Sequence, residues 1–270
     1  MKLVTLVENT CGAPCCIAEH GLSIFIETEM HKLLLDTGQT DAVVKNAAAL
    51  GIDLSQIDTV ILSHGHYDHS GGILPFTKIN HSAQIIMQSS SAEPHYNGER
   101  YIGIDMDILG LPNVRLIDGD IKLDDELFIF SGIKGRRCYP QGNRRLLCVR
   151  NGKKVQDDFS HEQCLVISQG DKRLLLSGCA HNGILNILDR YKELFGNDPD
   201  FVVSGFHMMK REGEYTKEEL EVITQTAREL SRKNTIFYSG HCTGIEAFGI
   251  MKNIMGAQLC ALHSGSEISI

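Results

Sequence analysis

The sequence concentrates metal-binding side chains in one short segment. Residues 62–72 read LSHGHYDHSGG, which places His64, His66, Asp68 and His69 within six positions. Imidazole and carboxylate groups are ligands of zinc, iron and manganese in proteins. In an extended loop, the alternate residues His64, His66 and Asp68 point to one side and His69 to the other. The spacing therefore predicts that this single loop supplies ligands to one metal ion or to two adjacent ions.

Four further histidines lie at the ends of predicted strands or beside glycines. They are His161 in SHEQ, His181 in GCAHNG, His207 in SGFHMM and His241 in SGHCTG. Each of them, taken alone, is equally well explained as a buried or surface histidine with a hydrogen-bond partner. Active sites of α/β proteins gather at the carboxyl ends of strands. The recurrence therefore indicates that some of these histidines complete the ligand set.

Length and composition are those of an ordinary globular protein. The chain has 270 residues, of which 42% are apolar and 22% charged, enough for a sizeable core. A net charge of −8 without a basic stripe argues against a nucleic-acid surface. The sequence shows neither the roughly 20 apolar residues of a membrane helix nor a signal peptide at its start. We therefore expect a cytoplasmic protein that binds neither nucleic acid nor membrane.

The order of strands and helices predicts an α/β fold. Strand-like runs such as KLVTLVE and HKLLLDTG fill the first half, and IDTVILS leads directly into the histidine loop. The second half alternates strands with helices such as TKEELEVITQTARELSRK, whose start resembles a capping box. Two halves of this kind predict two sheets packed face to face with helices outside, a four-layer αββα sandwich. We expect one domain over residues 1–270, with an irregular, substrate-covering insertion around residues 89–160.

The chain contains nine cysteines, and most of them are expected to be reduced thiols in the core. Cys11, Cys15 and Cys16 differ because they lie in a Gly/Pro turn, where a metal or redox role is an alternative. Their spacing matches no zinc signature.

Several segments resemble one known family. SHGHYDHSGG is similar to the HxHxDH signature of the metallo-β-lactamase fold superfamily, and KLLLDTG to its Asp-Thr-Gly segment, which implies that Asp36 supports the site. SHEQCLVI, GCAHNGILNIL and GHCTG resemble a branch labelled 7,8-dihydropterin-6-methyl-4-(β-D-ribofuranosyl)aminobenzene 5′-phosphate synthase-like. The resemblance covers nearly the whole chain. It implies the αββα fold of the metallo-β-lactamase type.

The resemblance also implies two divalent metal ions, with zinc expected first and manganese or iron as alternatives. The implied ligands are His64, His66 and His161 for the first metal, and Asp68, His69 and His241 for the second. Cys179 stands where many members have a bridging aspartate, and its softer thiolate favours zinc and leaves the number of metals open. His181 is the alternative ligand or an acid/base group, and Asp68 would orient the nucleophile or accept a proton.

The branch label implies a phosphorylated small molecule as substrate, and such a substrate needs cationic partners. The segment KGRRCYPQGNRR supplies Lys134, Arg136, Arg137, Arg144 and Arg145. Arginine binds phosphate through two parallel hydrogen bonds, so this segment is either a phosphate clamp or a solvated loop. Further candidate pocket residues are His95, Arg100 and Tyr101 in PHYNGERY, and, from the branch motifs, His20 and His207.

Three classes of function remain open from the sequence. The first is a metal-dependent hydrolase, or a transferase in which the metals stabilise a diphosphate leaving group. The second is a mononuclear iron enzyme acting on thiol or sulfur compounds, which the cysteines keep open. The third is a metal-binding protein without catalytic activity. We expect a small-molecule partner, and a homodimer is possible.

Overall fold

The computed structural model describes residues 1–210 and 212–270. The strands are β1 (Lys2–Val7), β2 (Ser23–Glu27), β3 (Lys32–Leu35), β4 (Thr59–Ile61), β5 (Gln84–Gln88), β6 (His95–Asn97), β7 (Arg100–Tyr101), β8 (Val114–Ile117), β9 (Ile121–Lys122), β10 (Leu127–Phe130), β11 (Leu146–Arg150), β12 (Lys153–Gln156), β13 (Cys164–Gln169), β14 (Lys172–Leu176), β15 (Phe201–Val203), β16 (Ile236–Ser239), β17 (Leu259–Ala261) and β18 (Glu267–Ser269). The helices are α1 (Ala42–Ala49), α2 (Tyr67–Ser70), α3 (Ile73–Thr77), α4 (Ile184–Phe195), α5 (Lys217–Leu230) and α6 (Ile245–Met255).

The strands form two large sheets and one small sheet. The first large sheet has the order β18-β1-β2-β3-β4-β5-β8, and the second has the order β17-β16-β15-β14-β13-β10-β9. Each large sheet combines antiparallel strands with a run of parallel ones, which are β3, β4, β5 and β8 in the first and β14 to β17 in the second. The carboxyl ends of parallel strands lie at one edge of a sheet, so the residues that follow them can meet.

Alternating side chains divide the core into layers. In β3, Leu33 and Leu35 join an apolar cluster that also contains residues of the second sheet, such as Leu165 and Leu176. Leu34, between them, faces helices α1 and α3 through a different cluster. Helices α4, α5 and α6 cover the outer side of the second sheet. The result is the predicted four-layer αββα sandwich, and this prediction is confirmed.

The helices begin and end where local signals predict. Helix α5 starts with a complete capping box, in which Thr216 and Glu219 exchange side chain-to-backbone hydrogen bonds. Helix α4 ends at Gly196, whose φ of 80° is the left-handed conformation that glycine adopts readily. Within residues 1–210 and 212–270, none of the helices is both long enough and apolar enough to span a bilayer.

The segment around residues 89–160 is more regular than expected. Strand β8 extends the first large sheet, and β9 and β10 extend the second. Strands β12, β11, β6 and β7 form a separate four-stranded sheet in that order. Short 3₁₀ turns such as Gln141–Arg145 connect these strands. Cross-strand pairing therefore stabilises much of this segment, which the sequence pattern did not reveal because its strands are short.

Candidate metal centre

Asp36, which directly follows β3, holds the histidine loop in place. One carboxylate oxygen accepts the backbone N–H of Ser63 at 2.7 Å, and the other accepts the Ser63 hydroxyl at 2.7 Å. The second oxygen also lies 2.6 Å from Nδ1 of His69. The carboxylate is completely buried. Asp36 therefore fixes the loop and one of its histidines, and it has no access to a substrate.

Two glycines end this loop because there is no room for a side chain. A Cβ atom on Gly71 would lie 2.1 Å from the carbonyl oxygen of Gln39, and one on Gly72 would lie 2.1 Å from that of Thr37. The end of helix α2 can therefore pack directly against the backbone of residues 37–39.

Three groups of candidate ligands share the Cys179 thiol, which follows β14, and the ligand atoms within each group lie within 4.8 Å of one another. Two of them include a histidine of the loop: His64, Cys179 and His181, and His69, Cys179 and His241. The third adds His207 and Cys242 to Cys179. The ring of His66 is adjacent, with its centroid 4.6 Å from that of His64 and 4.9 Å from that of His181. Cys179 thus lies between the groups, where the resemblance implies a ligand that bridges two metals.

In both groups the Nδ1 atom of each histidine lies beside an oxygen atom. The pairs are His64 with Ser63 Oγ at 2.9 Å, His69 with Asp36 Oδ2 at 2.6 Å, His181 with Asn143 Oδ1 at 3.0 Å, and His241 with Asn9 Oδ1 at 2.9 Å. A second bond orients the Asn143 amide, because its Nδ2 donates to the carbonyl of His181 at 2.7 Å. Each neutral ring therefore carries its proton on Nδ1. Nε2 is left with a lone pair, as in histidines that bind metals.

The Nε2 atoms point into a region that suits a cation. Those of His64 and His181 are buried and have no hydrogen-bond partner. Nε2 of His69 lies 3.2 Å from Cys179 Sγ and 3.2 Å from Nε2 of His241. Lone pairs at this distance repel one another unless a proton or a metal ion lies between them. The donor atoms of His64, His69, Cys179, His181 and His241 therefore fit divalent metal ions, with imidazole and thiolate donors that suit zinc.

The surroundings keep most of these rings neutral and favour positive charge beside Asp36. Burial lowers the pKa of His64, His181 and His241, and the neighbouring imidazoles lower it further. Burial also opposes protonation of His69, but the Asp36 carboxylate outweighs this effect and raises the pKa to about 9. A buried positive charge next to Asp36 is thus stabilised.

Asp68 lies at the edge of the second group. Its Oδ2 atom is 3.1 Å from Nε2 of His20 and 3.6 Å from Nε2 of His241, and these three residues form a further candidate ligand group. Burial raises the pKa of Asp68, but the hydrogen bond from His20 and the nearby His69 and His241 outweigh it and hold the pKa below its usual range. An ionised carboxylate is therefore available beside the second group.

Backbone strain accumulates at these positions. Asp36, Ala180, His207 and His241 have φ angles of 58°, 53°, 50° and 47°, in the left-handed region that residues other than glycine rarely adopt. Such conformations persist where the surrounding structure imposes them, commonly at functional sites. Here they follow β3, β14, β15 and β16, and they turn the chain at the edge where the ligands meet.

His161 is not directed into this centre, contrary to the role that the resemblance implies. Its Nδ1 accepts the backbone N–H of Gly65 at 2.9 Å, so its proton lies on Nε2, which is 3.3 Å from Asp157 Oδ2. His161 instead belongs to a buried group with His66, His95 and Asp157. The structure brings His181 to His64 in its place, and it brings Cys179 there as well.

A cavity of about 650 Å³ opens above the centre. Asp68, Cys179 and His181 form part of its wall, together with His20 and His207, as the branch motifs imply. The remaining wall comes mainly from the segments Asn97–Ile102, Pro140–Leu146, Met208–Lys210 and Glu212–Ile223. The predicted substrate-covering segment therefore does contribute residues to the cavity.

The cations of the cavity wall are only partly those expected from the sequence. Arg100, Arg145 and Lys210 line the cavity, whereas Arg136 and Arg137 do not. Arg137 is held on the outside by Asp189 of α4, at 2.9 Å, and by Glu229 of α5, at 3.3 Å. Arg136 donates to the carbonyl groups of Ile133 and Gly135 and to Asn182, and it lines a separate cavity. The phosphate clamp expected from these two arginines is therefore not formed.

Two other candidate pocket residues also lie outside the main cavity. His95 is fully buried, with Nδ1 2.9 Å from Asp157 Oδ2. Tyr101 donates its hydroxyl hydrogen to the carbonyl of Ile104 at 2.7 Å and is otherwise exposed. Arg100, its chain neighbour, lines the cavity and lies over the ring of Tyr67 at 4.9 Å.

Sequence reasoning missed the residues that orient the ligands. Asn9 and Asn143 hold His241 and His181, and the buried Glu162 accepts the backbone N–H of His181 at 2.6 Å. Glu162 directly follows His161 in SHEQ, just before the buried strand β13. A buried acidic residue needs a hydrogen-bond partner, so its position could have predicted a contact of this kind. Asn9 and Asn143 carry no such signal.

Comparison with known proteins agrees with this description. A family model described as the metallo-β-lactamase superfamily matches residues 17–138. An uncharacterized protein of Methanocaldococcus jannaschii is 29% identical over 90% of both chains. The 7,8-dihydropterin-6-methyl-4-(β-D-ribofuranosyl)-aminobenzene-5′-phosphate synthase of the same organism is 27% identical over 99% of this chain and 96% of its own length.

A solved structure described as a metal-dependent hydrolase of the β-lactamase superfamily shares the whole fold. It superposes with a TM-score of 0.85 at 29% identity, over 100% of this chain and 99% of that one. Together with the matched family model, this similarity shows that the chain has the fold of the metallo-β-lactamase superfamily.

Proposed function

We propose that the protein is a metal-dependent hydrolase that cleaves a phosphate ester of a small molecule. The observation that carries this proposal is the combination of two features in one cavity. Its floor holds two adjacent groups of metal-ligating side chains, and its wall holds two arginines that pair with no carboxylate among the described residues.

The unpaired cations favour an anionic substrate. Within residues 1–210 and 212–270, no carboxylate forms an ion pair with Arg100 or Arg145, whereas Lys210 is paired with Glu219 at 2.7 Å. Arginine binds phosphate oxygens through two parallel hydrogen bonds. A cavity of about 650 Å³ is also in the size range of small-molecule sites, roughly 300 to 1,000 Å³. A phosphorylated metabolite therefore fits the size and charge of this cavity better than a polymer.

The side chains around the floor have separate roles in this proposal. Asn143 and Asn9 orient His181 and His241, while Asp36 orients His69. The Asp68 carboxylate lies at the cavity surface, where it can orient the attacking water and accept its proton. Divalent ions held at the floor would activate water and withdraw charge from the phosphate group.

Hydrolysis of a panel of phosphomonoesters, phosphodiesters and diphosphate esters, followed by detection of both the alcohol and the phosphorus product, tests the proposal. The assay uses protein reconstituted with zinc or with manganese, in water enriched in ¹⁸O. We expect turnover of at least one ester class, with one ¹⁸O atom from solvent in the phosphorus product, because the P–O bond breaks and water oxygen replaces it. Turnover should be lost in His181→Asn and kept in Arg137→Ala. An absence of turnover on every ester by a fully metal-loaded protein would contradict the proposal.

Transfer is a second candidate, because the relative named as a synthase matches over nearly the full length of both chains. In this reaction an aromatic amine would displace diphosphate from carbon. Diphosphate would then be released without ¹⁸O, and only when an arylamine acceptor is present. The same isotope experiment therefore separates the two reactions.

A further inference from the structure

Two buried thiols meet at the floor of the cavity. Cys179 follows β14 and Cys242 follows β16, and strand β15 lies between these two strands in the sheet. Neither side chain is more than 4% exposed, and both line the cavity. Their sulfur atoms lie within 4.8 Å of each other. The proposed reaction uses Cys179 as a metal ligand and leaves Cys242 without a role.

A glycine shortly after β15 allows the two thiols to approach each other across that strand. A Cβ atom on Gly205 would lie 2.4 Å from the sulfur of Cys242 and 3.6 Å from Cα of Cys179. The N–H of Gly205 donates to the carbonyl of Gly178 at 2.7 Å, which holds the two loops together. Any other residue at position 205 would therefore occupy the space through which Cys242 reaches toward Cys179.

Backbone groups of both neighbouring loops hold the Cys242 sulfur in this place. It accepts the N–H of His207 at 3.3 Å and donates to the carbonyl of Cys179 at 3.5 Å. Because a disulfide bond is about 2.0 Å long, the two sulfurs need to approach by at most about 2.8 Å. Rotation of the two side chains about their Cα–Cβ bonds can supply this movement.

Cys164 of the same sheet lies in a different environment. It is completely buried in the apolar cluster under the outer helices, together with Val166 and Leu175. It is not part of the cavity wall. A small polar molecule that enters the cavity therefore reaches Cys179 and Cys242 and does not reach Cys164.

The geometry points to a dithiol that hydrogen peroxide oxidises to a Cys179–Cys242 disulfide. One thiolate attacks the peroxide, so that a sulfur–oxygen bond forms, the oxygen–oxygen bond breaks and one water molecule leaves. The second thiol then attacks this sulfenic acid, the sulfur–sulfur bond forms, the sulfur–oxygen bond breaks and a second water molecule leaves. The two sulfurs together lose two electrons, and these reduce the peroxide to water.

The disulfide and a metal ion compete for the sulfur of Cys179. Metals bind the thiolate form of cysteine, so the disulfide removes one donor from each ligand group that contains Cys179. A metal ion at the cavity floor occupies the same sulfur and protects it from peroxide. Oxidation of the metal-free protein therefore blocks loading of the centre. This inference rests on Cys179 as a metal ligand of the proposed function, and it does not depend on which ester is cleaved.

Peptide mapping of the oxidised, metal-free full chain tests the disulfide. The protein is stripped of metal with a chelator, treated with hydrogen peroxide, blocked with N-ethylmaleimide in denaturant and digested with trypsin. Cleavage after lysine and arginine leaves Cys179 as the one cysteine of residues 174–190 and Cys242 as the one cysteine of residues 234–252. We expect these two peptides to be linked after oxidation and separate after treatment with dithiothreitol.

The exposed thiols provide an internal standard for the dose of peroxide. Cys11 and Cys15 are exposed, so they show whether the oxidant has acted. Absence of the linked pair of peptides from protein in which these two thiols have been oxidised would overturn the inference.

Zinc gives a second readout that is independent of activity. Zinc-loaded protein should yield no linked peptides at the same dose of peroxide. Oxidised metal-free protein should bind less zinc per chain, as measured by elemental analysis, and dithiothreitol should restore the content of the untreated protein. Equal yields of linked peptides with and without zinc would overturn the competition for Cys179.

Two substitutions separate this dithiol from general oxidation. Cys242→Ser removes the partner sulfur, so residues 174–190 should be recovered without the link to residues 234–252. Cys164→Ala is the matched control, because it removes a buried thiol of the same sheet outside the cavity, and its linked peptides should form as in the wild type. Loss of the link in Cys164→Ala as well would contradict a specific pair. The wild-type mapping stands if Cys242→Ser does not fold, and the ester assay uses reduced, zinc-loaded protein, so failure of the disulfide leaves that test unaffected.

Discussion

The two histidine groups of this protein are neighbours, yet they use their imidazole nitrogens in opposite ways. Around Cys179, the Nδ1 atoms of His64 and His181 are held by oxygen atoms, and the Nε2 atoms are left free. Around Asp157, the nitrogens of His95 and His161 converge on one carboxylate. Residue type alone does not distinguish these groups. The position of the proton on each ring distinguishes them, and neighbouring backbone and side-chain groups determine that position.

This difference also separates the roles of the two groups. The centre at Cys179 opens to a cavity with unpaired arginines, so its ions can meet a substrate. The group at Asp157 is enclosed by protein, so it can act on the centre only through the position of His66. Substitutions in the two groups should therefore affect different measurements, and the following predictions begin with the largest effect.

His181→Asn should have the largest effect on activity. Loss of a ligand at the cavity floor removes several kcal/mol of transition-state stabilisation, which corresponds to roughly 10³-fold in kcat/KM. The substitution should leave the midpoint of thermal unfolding of the metal-free protein nearly unchanged. His95→Asn should show the reverse pattern, with a smaller loss of activity and a clear loss of thermal stability, because the buried Asp157 carboxylate loses a hydrogen-bond partner. Equal effects of the two variants on activity would remove the distinction between the groups.

Asn143→Ala tests the orientation of His181 without touching the ligand itself. Groups that hold metal-binding histidines typically contribute about 10- to 100-fold to metal affinity, so zinc affinity should fall by that factor. Asn113→Ala is the matched control, since its amide donates to the carbonyl of Ala83 far from the site. A chelator competition titration of both variants measures the difference. Unchanged affinity in Asn143→Ala would argue that His181 is not a ligand.

Arg145→Ala and Arg100→Ala test the assignment of the anion-binding cations. Loss of a hydrogen bond to a charged group costs about 1.5–3 kcal/mol, so each variant should lose at least roughly tenfold in kcat/KM for a phosphorylated substrate. Arg137→Ala removes the same charge from the outer surface and should change kcat/KM by less than about twofold. A larger effect for Arg137→Ala than for Arg145→Ala would indicate that Arg137, and not Arg145, binds the phosphate group.

Thr216→Ala should have the smallest effect and should spare both histidine groups. Loss of the capping box of α5 should lower the free energy of unfolding by about 1 kcal/mol. Chemical denaturation measures this change, and zinc content should stay at the wild-type value. A loss of zinc in this variant would show that helix stability and metal binding are coupled.

The sequence predicted the features that depend on local patterns. The α/β layers, the capped helix at Thr216 and the ligand-rich loop at His64–His69 follow from alternation, capping and spacing. The metal roles of the individual loop residues stay predictions. The contacts that distinguish one histidine or arginine from another could not be predicted, because their partners are distant in the chain. Arg137 is held by residues 52 and 92 positions away, and His161 by the N–H of Gly65, 96 positions away.

The central claim is that His64, His69, His181 and His241 present Nε2 to metal ions while Nδ1 keeps its proton. Long-range ¹H–¹⁵N NMR of the histidine rings in zinc-loaded protein measures this directly, with assignments from single substitutions. We predict a protonated Nδ1 and a metal-bound Nε2 in all four rings, with His161 protonated on Nε2. Metal binding through Nδ1, or zinc-independent spectra for His64 and His181, would contradict the account.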